Sequence, residues 1–364
     1  MYFILIINYG FDYTATREIS ASRNDSDKVS RIFSTVLTTK LLLFIFSAVI
    51  FTVFSLLCPI DSELRLVFFL TFLMCAGQLF LSSWLYQGYE ILTTLSVFMF
   101  IARFFPVVMM FFFIKKEADY IWYPLLISAG QIFAGVSTHI YALKKLGIQF
   151  KFTGMNPVIH ELRKGFPVFF STLIISLYTT LNTVLLGIFG NVYSVGIFAA
   201  AAKIIGISQN LLFMPFTQSF YPNTALEFSK SVKEGYERAI KGMKYFTPLM
   251  GAAGLIMFLF ADFIISFLFG SEFSGASDIL RITAFIPLIV SFSNIFGVQI
   301  LLNLRQDKLF LFMTLSAALI SLPANILVIP AYGAAGVASV WLLTELYVAL
   351  FAFAAVRKVM KNHV

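Results

Sequence analysis

Charge is scarce in this chain of 364 residues. Asp, Glu, Lys and Arg together make up 12% of it, about half the share usual in a soluble domain. Apolar residues fill 59%, and 44 residues are Phe. A soluble fold of this length cannot hide that much apolar surface, so a bilayer must solvate most of the side chains. Cysteine is almost absent. Cys58 and Cys75 stand apart in apolar runs and match neither a zinc nor a CxxC spacing. The three histidines, His139, His160 and His363, are too scattered for a metal site. Nucleophile elbow, P-loop and paired catalytic carboxylates are all missing. The expectation is therefore no enzyme, no metal and no cofactor. Without an ATP site, any work must draw on a gradient or on downstream consumption of a product. The net charge of +8 does not indicate nucleic acid, because no groove-reading or aromatic–basic module accompanies it.

What is present is a series of apolar runs, each long enough to cross a bilayer as about 20 helical residues. They fall at 33–58, 63–86, 92–114, 120–143, 166–190, 192–222, 245–269, 276–303, 309–330 and 333–356. Ten complete spans are thus predicted, in an all-α polytopic membrane protein. Ahead of them, the stretch 1–11 is apolar but makes only about 16 Å of helix against a hydrocarbon core of about 30 Å. It lacks the basic start of a signal peptide, and its simplest account is a helix whose beginning is missing.

Basic residues set the orientation. If the loop after this stub is cytoplasmic and the spans alternate, cytoplasmic segments hold 19 Lys and Arg and the opposite segments hold 3, a strong positive-inside asymmetry. The long basic loops and the C-terminus are then cytoplasmic. The opposite loops are too short for an external catalytic domain. The largest break, 144–165, is basic and contains Pro and Gly. It reads as a linker between an N-terminal bundle, 1–143, and a C-terminal six-helix bundle, 166–364. Restoring the missing start gives two pseudo-symmetric bundles of six, a plan common among transporters. In loop 223–244 the Glu227–Lys230, Glu234–Arg238 and Glu237–Lys241 spacings predict an amphipathic helix lying on the membrane surface.

Ionisable side chains at membrane depth are expensive and usually face a cavity. Arg103 and Lys203 each lie about eleven residues into a span. Arg103 shares a helix face with Ser96; its guanidinium suits a phosphate oxygen, or else a neighbouring helix carbonyl. Lys203 shares a face with Gly206, Asn210 and Thr217 and sits too deep to snorkel easily. Lys40 faces either the lumen or the headgroups. Glu345, the one carboxylate near a span centre, either carries a coupling proton or pairs with a basic side chain. Gln78, Gln131, Asn182 and Asn210 are candidate polar cavity lining, with interhelical packing as the alternative for each. Pro106, Pro215, Pro287 and Pro323 interrupt helices and permit bending.

The segment Asn8-Tyr-Gly-Phe-Asp-Tyr-Thr-Ala-Thr-Arg-Glu-Ile-Ser20 resembles the polysaccharide-transporter (Wzx-type O-antigen flippase) family, with its YGF…(S/T)ATR(E/D)(I/V) pattern. Trp84-Leu-Tyr-Gln-Gly-Tyr-Glu90 is similar to that family's W-(F/L)-(F/Y)-Q-G-x-E pattern. Ala202-Lys203, Phe220-Tyr-Pro-Asn223 and Leu268-Phe-Gly-Ser-Glu-Phe273 extend the resemblance over essentially the whole chain. It implies the twelve-helix fold of the multidrug/oligosaccharidyl-lipid/polysaccharide exporter superfamily. It further implies an undecaprenyl-pyrophosphate-linked oligosaccharide, flipped to the outer leaflet of the inner membrane, with membrane lipids and the polysaccharide polymerase and chain-length machinery as partners. A cationic central cavity is implied as well. Arg17 matches the motif arginine; it receives the pyrophosphate or serves as a positive-inside anchor. The family's first helix and most of its second are missing, which implies a misassigned start or a truncated gene. Two rival readings are a multidrug or small-solute antiporter of the same superfamily, and a membrane polymerase or ligase of the sugar pathway. The first calls for acidic midplane residues and the second for a large external loop.

Overall fold

A computed structural model describes residues 1–361; His363 lies outside the described residues. Those residues are almost wholly helical, without a strand among them. The α-helices are α1 (Tyr2–Asn8), α2 (Phe11–Ser22), α3 (Ser26–Leu57), α4 (Ser62–Phe80), α5 (Ser83–Gly88), α6 (Leu92–Phe113), α7 (Trp122–Lys145) and α8 (Met155–Phe189). They continue with α9 (Val192–Ser208), α10 (Met214–Lys230), α11 (Val232–Leu259), α12 (Ala261–Phe269), α13 (Ala276–Thr283), α14 (Ile286–Ser293) and α15 (Asp307–Lys361). Turns of π-helix at Gln209–Phe213 and Asn294–Leu302 extend α9 and α14.

Among the described residues, nine helical stretches are long and apolar enough to cross a membrane. The last, α15, runs for 55 residues but leaves helical geometry at Gly333 (φ 51°, ψ −130°), a backbone conformation that glycine adopts readily. The two segments that meet there match the last two predicted spans, and between their end residues the ten predicted spans are helical apart from short breaks at 81–82, 260 and 284–285. Side chains cap several starts: Asp25 accepts from the Lys28 N–H (3.0 Å), Asn191 from Ser194 (2.7 Å) and Ser231 from Lys233 (3.2 Å).

The stretch 223–244 departs from expectation. It is not a surface helix. Helix α10 continues to Lys230, Ser231 turns the chain in extended conformation, and α11 starts at Val232. The i,i+3 and i,i+4 charge pairs, such as Glu227 with Lys230 at 3.0 Å, prolong two membrane helices instead. The break at 144–165 is also shorter than its composition suggests, because only 146–154 lacks regular helix.

The chain divides into two compact units, residues 1–169 and the remainder from Phe170. In the first, Phe11, Ile19, Phe33, Trp84 and Leu85 form a core beneath α2 and α5. Helices α4 and α7 meet closely there, since a Cβ on Gly135 lies 2.1 Å from the Gly77 carbonyl; small residues allow such approach. The second unit packs small and branched residues: Ala200, Ala201, Ile204, Ala261, Ile265 and Leu280. Outward faces carry bulky apolar side chains, among them Phe100, Phe111, Leu327 and Leu350, as lipid contact demands.

Candidate functional site

The two motif segments form one structural unit. Helix α2 lies on α5: the Thr16 hydroxyl donates to the Trp84 carbonyl (3.2 Å), and Arg23 pairs with Glu90 at 3.0 Å. Gly88 permits the contact, because a Cβ there meets Ile19 at 2.4 Å. Arg17 is buried within electrostatic reach of Glu161. Beside it, Lys164 pairs with Glu18 and lies 3.4 Å from Glu161. The motif arginine thus belongs to a cluster of alternating charge joining α2 to the start of α8.

Lys40 is 1% exposed. Its ammonium donates to the Leu81 carbonyl at 2.8 Å and feels the charge of Asp12, whose carboxylate accepts from the Ser83 hydroxyl at 2.6 Å. Lys40 reaches neither an open surface nor the headgroups. It ties the end of α4 to α3. Gln131 donates to Gln78 (2.9 Å), and Gln78 donates to Asn8 (2.7 Å). These amides bond α7 to α4 to α1.

Arg103 is exposed on α6, in line with exposed Ser96, between the large exposed side chains of Phe100 and Phe104. It makes no hydrogen bond or ion pair among the described residues.

In the second unit, Lys203 is exposed on α9 and likewise has no partner among the described residues. Gly196, Ala199, Gly206 and Asn210 follow the i+3/i+4 spacing on its face, half-buried or exposed. The stripe is small and polar where lipid-facing stripes are bulky. A Cβ on Gly206 would meet open space. Asn210 donates to the Gly206 carbonyl (2.9 Å) and belongs to the π-helical turn; such turns are frequent at functional sites.

Asn182 and Asn325 bond to each other (3.0 Å) inside this unit. Glu345, 7% exposed, is not paired with a basic side chain among the described residues. It accepts from the Tyr178 hydroxyl (3.3 Å) and from the Trp341 side chain. Tyr178 and Trp341 escaped the sequence reading, because neither residue is unusual within a span. Arg281, near the end of a predicted span, pairs with Asp262 and, at 2.9 Å, with Asp278.

A sequence profile of the polysaccharide biosynthesis protein family matches residues 1–225. The chain belongs to this family. Its resemblance to Wzx-type polysaccharide transporters is borne out by two relatives as well. The “Putative O-antigen transporter” of Escherichia coli (strain K12) is 29% identical over 322 residues, 88% of this chain and 77% of that protein. The “Putative O-antigen transporter” of Shigella dysenteriae is 26% identical over 361 residues, 97% of this chain and 88% of that one. Among solved structures, a MATE transporter in complex with MaL6 superposes with a TM-score of 0.83, covering 99% of this chain and 86% of that chain at 12% identity. A MOP-superfamily transporter from Pyrococcus furiosus, described for the reverse polarity of its binding pocket, gives a TM-score of 0.75 over 99% and 85% at 12% identity. At such identities the likeness is one of fold. This polysaccharide biosynthesis protein is therefore a multi-pass membrane transporter with the MATE fold.

Proposed function

We propose that this family member carries undecaprenyl-pyrophosphate-linked oligosaccharide units, such as those of an O-antigen, from the cytoplasmic to the outer leaflet of the inner membrane by alternating access. The names of both relatives support the polysaccharide substrate. One observation carries the rest: Lys203 stands unpaired and exposed in the middle of a membrane helix, on a stripe of small and polar residues. A bare diphosphate cannot enter a low-dielectric phase. An uncommitted ammonium at that depth supplies the countercharge, and Gly206 and Asn210 leave room and a polar surface for sugar. Arg103 of the first unit, whose exposed neighbours Phe100 and Phe104 are bulky rather than small and polar, is the second countercharge in this reading and rests on its charge and depth alone. Arg17 and Lys40, engaged within that unit, keep its shape in this reading. Glu345 is the group proposed to exchange a proton with the gradient. The basic loops and the C-terminus face the cytoplasm, within reach of the polymerase and chain-length machinery.

The test is surface polysaccharide in cells carrying single variants. Lys203→Ala and Arg103→Ala are expected to lower it on the order of tenfold or more, a loss of at least about 1.4 kcal/mol of transport-competent binding. Both proteins still reach the membrane, and Lys203→Arg retains most of the activity. Normal polysaccharide in Lys203→Ala would remove the reading.

A further inference from the structure

A second site lies in the first unit, away from Arg103. The connector 146–154 between α7 and α8 is strapped along α3 by its backbone. Ser30 Oγ accepts from the Gln149 N–H (3.1 Å), and Ser34 Oγ accepts from the Lys151 N–H (3.0 Å) while giving its own proton to the Ser30 carbonyl (2.7 Å). Behind this strap is a cavity of about 390 Å³, within the range of about 300–1,000 Å³ typical of ligand pockets. Its walls are apolar: Leu41 and Leu42 of α3, Phe152 of the connector, Met155 and Val158 of α8. Thr153 also lines it, and the Thr153 hydroxyl is buried without a hydrogen-bond partner. This orphaned hydroxyl is shielded from the chamber; turned into it about the Cα–Cβ bond, it gains a partner from a ligand with an acceptor.

The depth of the cavity identifies the solvent around it. A crossing takes about 20 residues; counted back along α3 from its end at Leu57, it begins near Thr38, at the cavity. The chamber therefore sits where hydrocarbon meets headgroups, on the side that carries the basic loops. The strap is built for that boundary, with Phe152 74% exposed and Phe150 exposed beside it. The segments that adjoin it carry four cations: Arg31 on α3, Lys144 and Lys145 at the end of α7, and Lys151 on the strap. All four are exposed, and none makes an ion pair among the described residues.

We propose that this cavity binds an anionic glycerophospholipid from the surrounding leaflet. One acyl chain fills the apolar chamber, the Thr153 hydroxyl donates to an ester carbonyl, and the phosphate lies among Arg31, Lys151 and the α7 lysines. The ester distinguishes this ligand from a polyprenyl diphosphate, which offers no carbonyl at the junction of tail and headgroup. The site is independent of the transported substrate. Its bound lipid holds the only covalent joint between α7 and α8 against α3.

The experiment uses the purified full chain in phosphatidylcholine nanodiscs containing a trace of phosphatidylglycerol with a photoreactive acyl chain. Peptides labelled on irradiation are mapped by mass spectrometry, with a phosphatidylcholine probe bearing the same chain for comparison. Labelling is expected to concentrate on 149–158, severalfold stronger with phosphatidylglycerol. Leu42→Trp, which fills the chamber from its edge, reduces that labelling severalfold. Should that variant unfold, Thr153→Val, equal in shape but without the hydroxyl, gives the same reduction. The pair Arg31→Gln and Lys151→Gln abolishes the preference between the two probes. Equal labelling by both probes in the unaltered protein, or labelling spread evenly over the lipid-facing helices, overturns the proposal. Displacement of the phosphatidylglycerol probe by undecaprenyl phosphate but not by unlabelled phosphatidylglycerol overturns it too, and assigns the chamber to the substrate's tail.

Discussion

Lys40 is buried and gives its ammonium to the Leu81 carbonyl, whereas Lys203 is exposed and has no partner among the described residues. Their roles should separate in two measurements. Lys40→Met leaves a buried carbonyl unbonded and Asp12 without its cation, a cost of about 1–3 kcal/mol. A lower melting temperature in detergent is expected. Lys203→Met removes no hydrogen bond or ion pair among the described residues, so its stability stays within about 0.5 kcal/mol of the parent while surface polysaccharide falls. A melting curve unchanged by Lys40→Met would contradict the first assignment. Both lysines were legible in the sequence as intramembrane cations, but their difference was not. It depends on a backbone carbonyl 41 positions away, and backbone acceptors leave no trace in residue pattern. Glu345 poses the related case of an acid held by neutral donors, Tyr178 and Trp341. Glu345→Gln keeps an acceptor for both, so folding is expected to be retained. Under the coupling role proposed for it, transport in vesicles loses its response to an imposed proton gradient; a full response in Glu345→Gln assigns the residue to packing.

At the scale of helices, hydrogen bonds between spans replace the hydrophobic effect, which lipid cannot supply. Asn325 and Asn182 form one such bond at 3.0 Å between α15 and α8. A double-mutant cycle with Asn182→Leu and Asn325→Leu is expected to give a coupling of about 0.6–1.7 kcal/mol, read from unfolding in detergent micelles. Additive single effects would show that the pair contributes no specific bond. Elements of this kind were partly legible. The ten spans follow from apolar length, which the bilayer enforces. The stretch 223–244 did not, because a helix lying on a membrane and one rising out of it share the same charge spacing. The π-helical turns at Gln209–Phe213 and Asn294–Leu302 were also invisible, since one extra residue in a turn barely shifts an apolar pattern. The YGF and Trp…Gln-Gly motifs were legible as family marks, but their work was not. Gly88 against Ile19, and Thr16 on the Trp84 carbonyl, make them a joint between α2 and α5, apart from Lys203, the cation proposed to meet the substrate.

For the whole molecule, the direction of transport depends on which end faces the cytosol. If the spans alternate as the sequence predicts, Lys and Arg fall 19 against 3 on the two sides of the membrane, a distribution that directs orientation during insertion. The two cysteines make this testable with little alteration. Cys75 is buried, while Cys58 is half-exposed between α3 and α4, at the end poor in basic residues. With Cys75→Ser in place, a membrane-impermeant maleimide is expected to label Cys58 in intact spheroplasts. In a protein freed of both native cysteines, Lys233→Cys occupies an exposed position in the first helical turn after Ser231, in a basic segment. It is expected to react only after the membrane is permeabilised. A reversed pattern puts the basic segments outside. It also breaks the proposed function, because a lipid-linked oligosaccharide assembled in the cytosol must first meet the cations from the cytosolic side. Labelling of both positions in intact spheroplasts points instead to two orientations in one membrane and overturns the single orientation that the charge ratio predicts.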